Sequence, residues 1–176
     1  MRVLGLALLL IGCSQDTEEA APLMLGQHPI TLSILYYPGP GIDSQVAEMG
    51  AEKLLRLGVE VLPTADLTEA QMRLRFVSCD TPAHEADPYL AITYPCGDVE
   101  ICAQYEQEPY TYAHEMGHAL GMRHIDKPGV MYPHLNTVSE FTINDWHEWE
   151  HRQQAGSVTD PACAGHWKDP LRRLVP

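Results

Sequence analysis

The chain has 176 residues and carries 24 acidic against 11 basic side chains, a formal net charge of −13 with the histidines neutral. That balance disfavours nucleic acid and anionic lipid headgroups as partners and suits solubility in an envelope or extracellular setting. The length gives room for one domain with a proper core and none for a second catalytic module.

Met1-Arg2 and the apolar run Val3-Leu4-Gly5-Leu6-Ala7-Leu8-Leu9-Leu10-Ile11 read as an export signal. The run falls well short of the roughly 20 apolar residues a permanent membrane helix needs. Leu10-Ile11-Gly12-Cys13 resembles the bacterial lipobox. The resemblance implies that residues 1–12 are a lipoprotein signal peptide and that Cys13 becomes a lipid anchor holding the protein on a membrane. Ser14, directly after it, points to outer-membrane sorting, so the expected place is the bacterial cell envelope, as an outer-membrane lipoprotein, or the extracellular medium. Ordinary cleavage near Ala20-Ala21, with Cys13 discarded, is the alternative. Loss of residues 1–12 removes one Arg and no acid, which moves the charge from −13 to −14. Residues 13–27 are polar and acidic at first, lack a periodic apolar pattern, and read as a flexible tether.

The domain is expected to span residues 28–155. Ile30 to Tyr37 is β-rich and bounded by Pro38-Gly39-Pro40-Gly41, which marks a first strand and its exit. Asp43 or Ser44 can cap a helix running to about Leu57, with Val46, Met49, Leu54 and Leu57 as its apolar stripe and Gly58 as its stop. Residues 59–62, 72–77 and 89–94 have strand lengths and patterns, and 101–106 offers a short strand before the next helix. That helix starts near Pro109 or Thr111. A closing helix follows, with Thr142 as N-cap and Asp145 three residues on, running to about Gln153. Residues 156–176 read as a loosely docked tail.

In an exported chain the four cysteines Cys79, Cys96, Cys102 and Cys163 favour two disulfides over free thiols. Three pairings are open; Cys96–Cys102 with Cys79–Cys163 is the expectation.

The densest chemical signal is His114-Glu115-Met116-Gly117-His118-Ala119-Leu120-Gly121-Met122-Arg123-His124. On a helix His114 and His118 lie one turn apart on one face with Glu115 beside them. A straight helix would carry His124 roughly 15 Å along the axis from His114, too far for bonds of about 2.0–2.1 Å to one zinc ion. The helix must therefore break, and Gly121 is the residue able to take a positive φ and turn the chain back.

His-Glu-x-x-His-x-x-Gly-x-x-His resembles the metzincin clan of zinc endopeptidases, and Gly129-Val130-Met131-Tyr132-Pro133 resembles the Met-containing turn of that clan, most like its matrixin branch. The resemblance covers about Tyr110 to Pro133. It implies an α+β catalytic domain: a twisted mixed β-sheet with a long helix, a zinc-binding active-site helix, a Met-turn and a C-terminal helix. It also implies one catalytic Zn2+ on His114, His118 and His124, with Gly121 and Met131 supporting the site and Tyr132 and Pro133 lining the substrate pocket. An edge strand that pairs with extended substrate is expected at residues 89–94. Matrixins usually carry paired aspartates in the closing helix; here Asn144 and Asp145 stand there. Pro95-Cys96-Gly97-Asp98 resembles the cysteine-switch segment of matrixin propeptides but lies inside the domain. Ca2+ is held by matrixin domains, yet Asp98 and Glu100 lack a dense ligand spacing and read as a solvated loop. His134 and the remaining histidines read as surface residues.

Three neutral imidazoles leave zinc an open tetrahedral position, the arrangement of a catalytic rather than a structural site. The expected reaction is peptide-bond hydrolysis through a zinc-bound water, with Glu115 as general base, in a monomer acting on a protein or peptide substrate. The rival is a catalytically silent zinc-binding surface lipoprotein, an adhesin or binding module. Glu115 argues against it, because metal binding alone needs no such base.

Overall fold

A computed structural model describes residues 21–79, 91–94, 97–105, 107–133 and 138–154. Strand β1 (Leu32–Pro38) leads into helix α1 (Ser44–Lys53), a 3-10 turn (Leu54–Leu57) and strand β2 (Val59–Pro63). Strands β3 (Met72–Val77), β4 (Ala91–Tyr94) and β5 (Asp98–Cys102) follow, then helices α2 (Pro109–Ala119) and α3 (Ile143–Gln154). The fold is α+β with one mixed five-stranded sheet in the order β2-β1-β3-β5-β4. β2, β1, β3 and β5 run parallel, and β4 is antiparallel at the edge, with Thr93 opposite Val99.

Local chemistry sets these boundaries. Asp43, not Ser44, caps α1: its Oδ1 accepts from the backbone N–H of Gln45 at 2.9 Å and Val46 at 3.2 Å. The α-helix stops at Lys53, short of the expected Leu57, and the remaining turn tightens to 3-10 before Gly58 turns left-handed at φ 67°. β1 begins at Leu32 rather than Ile30, which is exposed. The expected strand at 101–106 is β5, which lies earlier, so Asp98 and Glu100 are strand residues and not a loop.

The alternation in β5 shows how the sheet is layered. Val99 and Ile101 are fully buried in the core with Leu74, Met72, Tyr112 and Met116. Glu100, between them, faces the other way, ion-pairs with Arg75 and accepts a hydrogen bond from Tyr94 Oη. Both partners come from the neighbouring strands, Arg75 from β3 and Tyr94 from β4.

Two expectations change. Cys79 is bonded to Cys102, with Cα atoms 5.5 Å apart, so neither expected pairing of those two cysteines holds. The sheet order explains it: β3 and β5 are parallel neighbours with Val77 opposite Cys102, which brings the residue just past β3 beside the end of β5. Cys13, Cys96 and Cys163 lie outside the described residues. The stretch read as a tether is docked at Pro22 and Leu23: Pro22 bridges Thr142, Leu23 N–H donates to Phe141 O at 2.8 Å, and the Leu23 side chain is buried in the core.

Candidate metal centre

α2 opens with Pro109 in its first turn, where a missing N–H costs nothing. Its end is built by hydrogen bonds. Gly121 N–H donates to His118 O at 2.8 Å and Met122 N–H to Gly117 O at 3.0 Å, with Gly121 at φ 89°. This is the Schellman arrangement, and it satisfies two carbonyls that the helix end would orphan. It reverses the chain so that His124 returns to the face carrying His114 and His118.

The three Nε2 atoms form a nearly equilateral triangle: 3.1 Å from His118 to His114, 3.1 Å from His118 to His124 and 3.3 Å from His124 to His114. Among the described residues they are the one group of three or more His, Cys, Asp or Glu whose ligand atoms converge on a metal-sized space. Tautomers follow from the partners. His114 Nδ1 lies 2.6 Å from Val130 O and His118 Nδ1 lies 2.9 Å from Met122 O. A carbonyl only accepts, so both Nδ1 atoms carry the proton and both Nε2 atoms present bare lone pairs. Two lone pairs at 3.1 Å repel unless a cation lies between them, and these residues could hold a metal ion. Burial, then the neighbouring His118, pushes His114 down to about 4, and burial also lowers His118, so both rings are neutral ligands at pH 7.

Glu115, between the first two histidines, is 6% exposed. Thr93 Oγ1 on β4 donates to its Oε2 at 2.6 Å and also lies 3.0 Å from the Glu115 backbone O. Burial lifts the Glu115 carboxyl to about 7 against the lowering effect of Thr93. A carboxyl balanced there can take up or release a proton near neutral pH. Thr93 is a residue that sequence reasoning missed: it stands 22 positions before Glu115 in no motif, and only the sheet's edge brings it there.

Beneath the histidines lies a buried floor. Met131 is fully buried, and a Cβ at Gly117 would come 2.5 Å from its Sδ, so the absence of a side chain at Gly117 is what admits the thioether under α2. Asp145, also fully buried, accepts from Met131 N–H at 2.8 Å, Val130 N–H at 3.0 Å, Thr142 N–H at 2.8 Å and Thr142 Oγ1 at 3.0 Å. Burial raises its carboxyl above the ordinary value while these bonds pull the other way. Tyr110 Oη donates to Val130 O at 3.0 Å, the same carbonyl that takes His114 Nδ1. Arg123 N–H, just past the helix end, donates to Glu148 Oε1 on α3 at 2.9 Å.

Tyr132 follows Met131 half-buried, and Pro133 is exposed. His134 lies outside the described residues, as do His84 and His166. His147 and His151 are exposed. His28 differs from its surface expectation: its ring stacks on Trp146 of α3 with centroids 3.4 Å apart. Comparison with known protein families and with curated proteins finds no match to this chain.

Proposed function

We propose that this chain is a zinc-dependent endopeptidase of the metzincin type, closest to the matrixin branch, exported and held in the bacterial envelope by lipid at Cys13. The observation that carries this reading is the pairing of an open three-histidine cluster with a buried carboxyl on the same helix. Tetrahedral zinc with bonds of about 2.0–2.1 Å sets its ligand nitrogens roughly 3.3–3.4 Å apart, which the 3.1–3.3 Å triangle approaches closely. Three imidazoles suit zinc chemically and leave the fourth corner to water or substrate. When bound, zinc would acidify a water and polarise a peptide carbonyl.

The chain's own residues supply the rest. Glu115, with Oε2 held by Thr93, takes a proton as general base and returns it to the leaving nitrogen. His114 and His118, with their Nδ1 protons committed to carbonyls, keep their Nε2 lone pairs aimed at one point. Antiparallel β4 is the sheet's edge and carries Thr93, so an extended peptide adding to it would run past Glu115. On this reading Tyr132 and Pro133 line the substrate pocket.

The test is direct. The exported protein should take up one zinc per chain and cleave a denatured protein. Glu115→Ala should keep the zinc and lose at least about a hundredfold in rate, the lower range for a general base. Equal cleavage by variant and parent would remove the mechanism.

A further inference from the structure

Behind the histidines, α3 carries two carboxylates three residues apart, Asp145 and Glu148, and each touches the far end of one peptide unit that ends on a metal-facing ring. The Val130–Met131 peptide has its N–H on Asp145 Oδ1 at 2.8 Å and its carbonyl on His114 Nδ1 at 2.6 Å. The Met122–Arg123 peptide has its N–H on Glu148 Oε1 at 2.9 Å and its carbonyl on His118 Nδ1 at 2.9 Å. Two independent carboxylate–peptide–imidazole chains thus leave one helix and meet at the Nε2 triangle.

We propose that α3 tunes the metal affinity of the histidine cluster through these two relays, with Asp145 acting on His114 and Glu148 acting on His118 as positioning residues. A peptide unit is a dipole of about 3.5 D, and negative charge at its N–H end makes its carbonyl oxygen a stronger acceptor. Hydrogen bonds joined in a chain reinforce one another by perhaps 10–30% each. The imidazole whose Nδ1 proton is drawn harder towards the carbonyl becomes the more basic donor at Nε2. A carboxylate bonded directly to a ligating histidine has this effect on zinc sites; here the same effect is passed on through one amide. The two relays differ in strength. Asp145 is fully buried, and the backbone N–H groups of Val130, Met131 and Thr142 and the Thr142 hydroxyl that bond to it are all uncharged. Glu148 Oε1 is shared with Arg152 Nε at 2.6 Å, whose positive charge offsets the carboxylate. Asp145 is therefore the stronger of the two.

This rests on the metal reading of the site and not on peptidase activity, so zinc itself is the probe. With nitrogen-labelled histidines in the zinc-loaded protein, the His114 Nδ1 proton should resonate at lower field than that of His118, matching the shorter bond. Asp145→Asn should move the His114 signal upfield and leave His118 in place, and Glu148→Gln should do the reverse. Zinc affinity, measured by competition with a chelator, should fall about tenfold for Asp145→Asn, the low end for support of a ligating histidine, and about threefold for Glu148→Gln. Glu148→Gln keeps the hydrogen bond and loses only the charge, so it folds even where Asp145→Asn does not. Unchanged zinc affinity in Glu148→Gln, or both signals moving together in either variant, overturns the proposal and leaves the metal site standing. Failure of the parent to take up zinc removes both.

Discussion

The floor and the rim of the histidine cluster are built on opposite terms. The floor, from Gly129 to Met131 and across to Asp145 of α3, is fully buried, and its hydrogen bonds to Asp145 run from 2.8 to 3.0 Å. The rim is His124, edge strand β4 with its exposed Tyr94, and Pro133. The floor fixes where two lone pairs point; the rim leaves backbone and ring edges open to solvent. Buried hydrogen bonds are concentrated behind the cluster and exposed surface in front of it, so two of the three rings are held from behind while the third, His124, stands open to solvent.

The sharpest way to break that contrast is to crowd the floor. A Cβ at position 129 would stand 2.6 Å and 2.7 Å from the two carboxylate oxygens of Asp145, with nowhere for a buried anion to retreat. Gly129→Ala should cost about 3 kcal/mol or more, as disruption of a buried charge network does. Pro133→Ala on the exposed rim should stay within about 0.5 kcal/mol. Urea unfolding of the two variants checks both, and comparable losses would mean that the floor is no stiffer than the rim.

Acid tests the same floor without mutation. In the metal-free protein His114 titrates near 4, against an ordinary 6.5, because burial opposes its charge, and His118 is lowered for the same reason. At these two rings the unfolded chain therefore binds more protons than the folded one between about pH 6.5 and 4, which costs stability as the pH drops through that window, while Glu115, lifted to about 7, takes up its proton earlier in the folded chain and offsets that loss. His114 alone accounts for roughly 3 kcal/mol once it is fully titrated. Imidazole proton signals of the metal-free protein, followed from pH 7 down to 4, should show His114 still neutral at pH 5 and His118 charging below an ordinary imidazole; titration of both rings near 6.5 would mean that they are not held neutral by burial.

Much of the site was legible because its residues are close in sequence. The spacing of His114, His118 and His124 demands a break, and Gly121 supplies it through bonds that are all local to residues 117–122. Thr142 and Asp145 were legible as a helix start, and they do bond to each other. The second role of Asp145, bonding Val130 and Met131, was hidden because nothing in a capping pattern says what else the carboxylate will meet. The disulfide failed for a related reason: Cys79 and Cys102 are brought together by strand order, which no spacing of cysteines encodes. Leu23 was read as tether because Leu23-Met24-Leu25 is too short to show a period, although Leu23 fills a place in the core while Met24 and Leu25 stay exposed.

The finest distinction between floor and rim is the Thr93 hydroxyl, which lies on the rim yet bonds to the buried Glu115 carboxyl. Val has nearly the shape of Thr and suits a strand equally well, so Thr93→Val removes the 2.6 Å bond to Glu115 Oε2 while leaving β4 intact. A hydrogen bond to a carboxylate contributes about 1.5–3 kcal/mol, and part of that should appear as loss of alignment of Glu115 in the reacting complex. On the peptidase reading, kcat should fall about tenfold, KM should hold, and zinc affinity should match the parent, since no ligand or its partner is touched. Thr93→Ser should restore most of the rate because it restores the hydroxyl. A rise in KM with kcat unchanged would instead place Thr93 among the groups that only bind substrate along the edge strand.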